Sequence, residues 1–319
     1  FRSSIEMLYF IGLAAGFLLA NQSAINAKLG AAVRSPFRSS LISFSVGTIF
    51  LIAVFLGTNQ HIAPIGTVFS HNPWWIWLGG ILGVFFLTSN ILMFPKLGAI
   101  QTIILPILGQ VLMGEVIDIF GLFGAQQHPL TWLKSMGILI LFLGIYIAVV
   151  LASRGVAKIE EKSDKDHETP VTLNVWRLWG IVAGAISAIQ QAINGHLGQL
   201  MHSSVGASVF SFLTGTILIL LVVIIRDKSF LPKEFHANGQ PFWLFIGGVL
   251  GAAFVFAAAY LVPQLGTGVT VTLGLFGSIV GSMAVTQFGW WRSPQRQVTR
   301  AQIFGIMAMA IGVLLIKFG

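Results

Sequence analysis

Gln22 and Asn26 stand four residues apart in GFLLANQSAINAKLG, and Gln190 and Asn194 repeat that spacing in GAISAIQQAINGHLG. Residues four apart share one face of a helix, so each apolar stretch carries a stripe of two amides. An amide left without a partner in hydrocarbon costs about 2–7 kcal/mol. The four amides must therefore face a wet cavity or one another's helices. Two uses follow: lining a path for a polar solute, or interhelical hydrogen bonding worth about 1 kcal/mol per bond. Glu115 and Asp118 lie three apart near the C-terminal end of another apolar stretch. Acids inside such stretches are expensive and point to function, and the negative end of their own helix disfavours them further. Glu115 is the deeper and suits proton coupling or pairing with a cationic substrate. Asp118, near Gly121, lies closer to water.

The elements that must position these residues are membrane spans. The chain is 55% hydrophobic and 9% charged, against about 25% charged in soluble domains, so it is read as an all-α integral membrane protein. A spanning helix needs about 20 mostly apolar residues. Ten stretches qualify: Ile5–Ala27, Ser39–Leu56, Trp74–Phe94, Ala99–Phe120, Leu133–Leu151, Trp176–Gly198, Gly206–Ile225, Phe242–Val262, Gly268–Phe288 and Ala301–Phe318. The first is long and carries polar residues of its own, unlike a cleavable leader. Between the fifth and sixth runs RGVAKIEEKSDKDHETPVTLN, a polar segment of mixed charge that reads as a solvated linker.

Shifting the sequence by 168 aligns it with itself. Between Gly12–Thr48 and Gly180–Thr216, 16 of 37 positions are identical without a gap, among them Gln22, Asn26, Ser43 and Phe44. Gly79, Gly80 and Gly83 meet Gly247, Gly248 and Gly251, and PKLG at Pro95 meets PQLG at Pro263. This is an internal duplication of a five-helix unit: residues 1–153, a linker 154–174, and residues 175–319. Five is odd, so the second copy enters the membrane from the opposite side. The charges agree, because 15 of the 18 Lys and Arg fall on the linker side and only Arg2, Lys134 and Lys317 on the other. By the positive-inside rule the linker is cytoplasmic and both termini lie outside. The basic balance is thus a topology signal, and no nucleic-acid partner is expected.

Inverted repeats commonly enclose a midplane site, marked by Gly or Pro interruptions at matching places of the two halves. Pro106 and its repeat mate Gly274 are such a pair and are read as hinges. Gln101, Thr102 and Gln110 lie near one, Thr270, Thr272 and Ser278 near the other, and Asn90 and Tyr260 are weaker candidates to line the same cavity. Tryptophans near span ends (Trp74, Trp75, Trp77, Trp132, Trp243, Trp290, Trp291) read as an interfacial belt. The histidines show no ligand spacing, so no metal site is expected. There is no phosphate-binding Gly-rich loop and no nucleophile–base motif, so neither a cofactor nor an enzyme is expected. With no cysteine, disulfide and thiolate chemistry are excluded.

The duplicated unit, the Gln-x3-Asn of the first helix with Gly30 behind it, and GQVLMGEVIDIFGLFG at Gly109–Gly124 resemble the YdcZ-type family of the drug/metabolite transporter superfamily. The resemblance spans the whole chain, twice over. It implies ten helices in two inverted halves, a cell (inner) membrane location and export of a small molecule. In that superfamily helices 1, 3, 4 and their mates line the cavity, with 5 and 10 peripheral. The second copy departs at GSIVGSMAVTQFGWW, where Gln110 becomes Ser278, Glu115 becomes Met283 and Asp118 becomes Thr286. Whatever the acids do, one half does it.

The reading is a secondary transporter of a small organic molecule by alternating access, with protons as a candidate coupling ion. Substrate-binding candidates are Gln22, Asn26, Gln190, Asn194, Glu115, Asp118, Asn90, Gln101, Gln110, Tyr260, Thr270 and Ser278, with Glu115 and Asp118 as coupling residues. Its partners are the substrate and membrane lipid, as a monomer or homodimer. The rivals are a translocase of lipid headgroups or lipid-linked sugars and a passive channel. Topology is open to direct test in this Cys-free chain. An impermeant thiol reagent on whole cells should label a cysteine placed at Asn59 and spare one at Ser163. The reverse pattern would overturn the orientation.

Overall fold

Why the apolar stretches become helices follows from the solvent: in lipid, every backbone N–H and C=O must be satisfied within the chain. The computed structural model describes residues 2–151, 170–293 and 295–319, and of the helical residues 2, 3, 91, 94, 95 and 97–104 it describes the backbone alone. The helices are α1 (Arg2–Ala32), α2 (Pro36–Gly57), a short α3 (Ile65–His71), α4 (Gly79–Phe120), α5 (Trp132–Ile145), α6 (Pro170–Met201), α7 (Ser204–Arg226), α8 (Gly247–Leu265), α9 (Thr267–Phe288) and α10 (Arg300–Phe318). No strand occurs among the described residues. Among the described residues, eight helices are long and apolar enough to cross a membrane.

The ends are set by local chemistry. Ser35 and its mate Ser203 cap α2 and α7, accepting the N–H of Arg38 and Gly206. Thr131 caps α5, and its mate Thr299 caps α10 in a reciprocal box with Gln302. Gly121 and Gly289 close α4 and α9 in the left-handed conformation, φ 63° in both, where glycine carries no Cβ penalty. Two elements differ from the sequence expectation, and a third keeps its expected end at Leu151 but changes helix type there. The helix α6 begins at Pro170, inside the expected linker, since proline suits a first helical position. The fifth span ends in a π-helical segment, Tyr146–Leu151. The third and fourth spans were expected as separate helices, but backbone hydrogen bonding runs through Gly79–Phe120.

That run nevertheless doubles back. Gly79 abuts Asn194 of α6, Met93 and Leu105 both press on Gly180, and Gly124, just past the end of α4, abuts His196. A straight 42-residue helix would be about 63 Å long, so its two ends could not both reach the same turn of α6. The α4–α6 contact is the most extensive in the molecule.

The two copies contact each other reciprocally. A Cβ on Gly16 of α1 would collide with the Gly274 carbonyl of α9, and one on Gly184 of α6 would collide with the Pro106 carbonyl of α4. Residues 16 and 184 are mates, as are 106 and 274, so each half makes the same contact with the other. This exchange is the mark of a two-fold relation. At α2 and α7 the mates Thr48 and Thr216 meet directly, Oγ1 to Oγ1 at 3.0 Å. At α5 and α10, Gly137 faces Gly312 while Gly144 faces Gly305, so these equivalent helices run antiparallel. The largest buried apolar cluster, including Val111, Ile117, Leu141, Leu273 and Met309, joins α4, α5, α9 and α10 across the halves.

Small residues are what permit such backbone-to-backbone packing in lipid. Gly184→Val should therefore cost about 1–3 kcal/mol through overpacking, read as a lower unfolding temperature in detergent. A valine tolerated there without loss would show that α4 and α6 do not depend on this contact.

Candidate functional site

A cavity of about 400 Å³ lies between the two halves, within the range of small-molecule sites. Its walls come in mates: Gln22 with Gln190, Ser43 with Ser211, Phe44 with Phe212, Gly83 with Gly251, Phe86 with Phe254 and Pro106 with Gly274. The glycines are needed here, because a Cβ on Gly83 would stand 2.7 Å from Gln190 Nε2 and one on Gly251 would collide with Gln22. The amides of Gln22 and Gln190 thus rest on bare backbone of the opposite half.

The paired amides divide by role. Gln22 and Gln190 line the cavity. Asn26 and Asn194 do not. Each donates from Nδ2 to the serine of the next helix in its own half, Ser43 or Ser211, at 3.2 Å. Each also packs on a glycine of the other half, Gly247 or Gly79. That arrangement is interhelical glue. Of the other candidates, Asn90, Gln110 and Ser278 line the cavity, and so do Pro106 and Gly274. Neither of the last two interrupts its helix; the break in the second half falls at Gly266, φ 88° and ψ 162°. Thr270 is buried in the first turn of α9, where it donates to the Gly266 carbonyl. Tyr260 is 42% exposed and packs near Phe256. Gln101 and Thr102 lie outside the described side chains.

Glu115 and Asp118 are not cavity residues but form a tie above it. Asp118 is fully buried and accepts the N–H of Thr267 (Oδ1, 2.8 Å) and of Gly268 (Oδ2, 2.8 Å). It thereby satisfies two of the orphan donors at the start of α9 and sits on that helix's positive end. The unfavourable C-terminus of α4 is thus offset by the N-terminus of a neighbour, which sequence spacing alone could not show. Glu115, also buried, pairs with Lys134 of α5 at 3.6 Å. Its mate pair is Met283 and Gln302, which is uncharged.

Several lining residues lay outside the sequence expectation. Ser43, Ser211, Phe44 and Phe212 did carry a signal, namely identity between the copies. So did Phe86 and Phe254; Gln191 and Ser187 had none beyond lying near a named residue. Two belt tryptophans also do internal work: Trp75 stacks on His196 at 5.6 Å, and Trp291 donates to Asn21 at 2.8 Å. By contrast, Trp74 and Trp132 are 73% and 79% exposed. Among the described residues no cluster of three or more His, Asp or Glu is placed to hold a metal.

Fold and site together define a multi-pass helical membrane protein with a solute-sized chamber between two related halves. The chain belongs to the family described as "Putative inner membrane exporter, YdcZ", whose model matches residues 7–147 and again 175–315. The two matches are offset by the same 168 residues as the internal repeat. A curated relative, inner membrane protein YdcZ of Escherichia coli (strain K12), is 26% identical over 129 residues, 40% of this chain and 85% of that protein. That relative is therefore about one repeat long. A solved crystal structure superposes with a TM-score of 0.66 over 97% of this chain and 96% of its own, at 16% identity, a likeness of fold alone. The family places this chain in the inner membrane among transporters rather than enzymes.

The buried pair gives a sharp test. Lys134→Gln alone leaves Glu115 uncompensated and should cost about 3–5 kcal/mol of stability. Glu115→Met combined with Lys134→Gln, which copies the other half, should recover most of that loss in thermal unfolding. A double variant no more stable than the single would show that the two charges are not coupled.

Proposed function

We propose that this chain is a secondary transporter that moves a small organic solute outward through the cavity by alternating access. The observation that carries the proposal is the cavity itself, walled by matching residues of both halves. A chamber built on a two-fold relation can open to either side by rocking one half against the other. The reciprocal contacts and the antiparallel α5 and α10 support ten crossings in two inverted halves, with α4 crossing twice, and the excess of Lys and Arg on the linker side supports both termini outside. The halves correspond to residues 1–153 and 175–319, joined by the cytoplasmic segment 154–174.

In this reading Gln22, Gln190, Asn90, Gln110 and Ser278 contact the substrate, and Glu115 and Asp118 hold a gate. The second part of α4 and α9 are mates of each other and both line the cavity. At the end predicted to be outside, Asp118 ties them together. At the other end the corresponding residue is Thr286, which has no carboxylate to offer. Opening outward requires Asp118 to release the Thr267 and Gly268 amides. Protonation of Asp118 would turn one acceptor oxygen into a donor and weaken this tie, so proton uptake and outward opening are linked.

A covalent substitute for the tie tests the mechanism. A thermal-shift screen of cations, amino acids and aromatic metabolites on purified protein supplies a ligand for flux measurements in proteoliposomes. In the Asp118→Cys/Gly268→Cys variant, oxidation should stop saturable flux and reduction should restore it. Flux that neither saturates nor responds to the crosslink would mark a passive channel instead.

A further inference from the structure

The cavity's lining is chemically one-sided in two respects. First, none of the described residues lining it is charged: its polar groups are the amides of Gln22, Asn90, Gln110, Gln190 and Gln191 and a few serines. The nearest buried acids are spent on Lys134 and on the start of α9. Second, the extra amides belong to one side. Where Asn90, Gln110 and Gln191 stand, their repeat mates are Ala258, Ser278 and Ser23. These three lie on α4 and α6, the most closely packed pair of helices.

Two of those amides are short of partners. Asn90 Oδ1 and Gln191 Oε1 are buried acceptors with no hydrogen bond within the protein. Whichever way each amide is turned, it presents one acceptor and one donor side by side. A bound molecule that leaves them unpaired forfeits the cost of their burial. In the same cavity Phe44, Phe86, Phe212 and Phe254 offer ring surfaces, with the Phe44 and Phe212 centroids 5.2 Å apart. Rings of this kind favour stacked or edge contacts with another flat π system.

Resting on the proposal that this cavity is the transport chamber, we propose that its substrate is an uncharged, planar molecule carrying a hydrogen-bond donor and acceptor on adjacent atoms, that is, a carboxamide, lactam or cyclic ureide on an aromatic or heterocyclic ring. The flat body lies among the four phenylalanines, and the amide edge pairs with Asn90, Gln110 and Gln191. A cation or an anion would enter this cavity without a countercharge and lose its hydration with nothing in return. The two-fold frame shapes the chamber, and the three amides without matching mates select what fills it.

Benzamide, benzoate and benzamidinium share one shape and differ in charge, so they isolate this variable. Binding is read by thermal stabilisation of the purified full chain. Benzamide should act at a concentration at least about tenfold below that of either ion. Asn90→Ala, Gln110→Ser and Gln191→Ser each install the residue the other half already carries at the matching place. Each should weaken benzamide by about three- to tenfold while leaving unfolding without ligand unchanged. In a separate Ser278→Cys variant, benzamide should slow alkylation by a small thiol reagent and benzoate should not. Benzoate or benzamidinium binding as tightly as benzamide would overturn the substrate class and leave the transport chamber standing. A cysteine at 278 that is alkylated at the same rate with or without benzamide would likewise overturn it. A cysteine there that no reagent reaches, with no stabilisation by any of the three, would sink the chamber along with it.

Discussion

Backbone-to-backbone contact at small residues is the constraint on which the rest of this structure depends. Lipid tails are as apolar as leucine, so helices in a membrane gain little by hiding apolar side chains from it. They gain by approaching closely enough for dispersion and hydrogen bonding to act. Gly16 against the Gly274 carbonyl and Gly184 against the Pro106 carbonyl bring α1 to α9 and α4 to α6 at the closest range the chain allows. Both contacts cross from one half to the other. The same approach places Gln22 on Gly251 and Gln190 on Gly83, so the packing of the halves and the walls of the cavity are one set of contacts. A repeat unit alone would leave these glycine faces without a partner.

Much of this was legible in the sequence, and the reason is physical. Hydropathy reports the solvent, so eight of the expected spans match helices to within a turn or two, whereas the expected third and fourth run together as α4. The 168-residue offset reports the duplication, because the same packing problem is solved twice with the same glycines. The cavity mates Gln22 and Gln190 were visible for a related reason: a polar residue retained in both copies within hydrocarbon needs a place to be. What the sequence left ambiguous was which polar residue faces the cavity and which faces a neighbouring helix. Gln22 and Asn26 are one helical turn apart on one face, and both reach Ser43 and a glycine of the other half, yet only Gln22 also borders the cavity. That difference lies in the rotation of neighbouring helices, which no spacing rule contains.

The acids show the same limit more strongly. Taken along α4 alone, Glu115 and Asp118 sit at the wrong end of a helix in the wrong solvent. Their compensation comes from chain positions that are remote in sequence: Thr267 and Gly268 at the start of α9, and Lys134 in α5. A buried carboxylate with two backbone N–H donors at a helix N-terminus is well satisfied, and a buried pair with lysine resists removal of either partner. Costly residues can thus be retained for holding two helices together as readily as for touching a solute. Burial alone does not tell the two uses apart.

Duplication supplied the frame, and divergence between the copies supplied everything directional. A fully symmetric pair of inverted halves would present identical ends to the two sides of the membrane and an identical set of contacts to a ligand in either orientation. This chain breaks the symmetry at three levels. At one end of the bundle the Ser35 cap bonds Asp227, a charged residue, at 2.6 Å; at the other its mate Ser203 bonds the neutral Gln60 at 2.8 Å. The α4–α9 pair is tied by Asp118 on one side, with Thr286 in the matching place. In the cavity, Asn90, Gln110 and Gln191 have repeat mates that lack their amides. A transporter needs two states of similar energy that are not equivalent, since otherwise neither the side of release nor the pose of the solute is defined. In the proposed alternating-access cycle, the repeat would keep the states similar in energy, and these few substitutions would make them different.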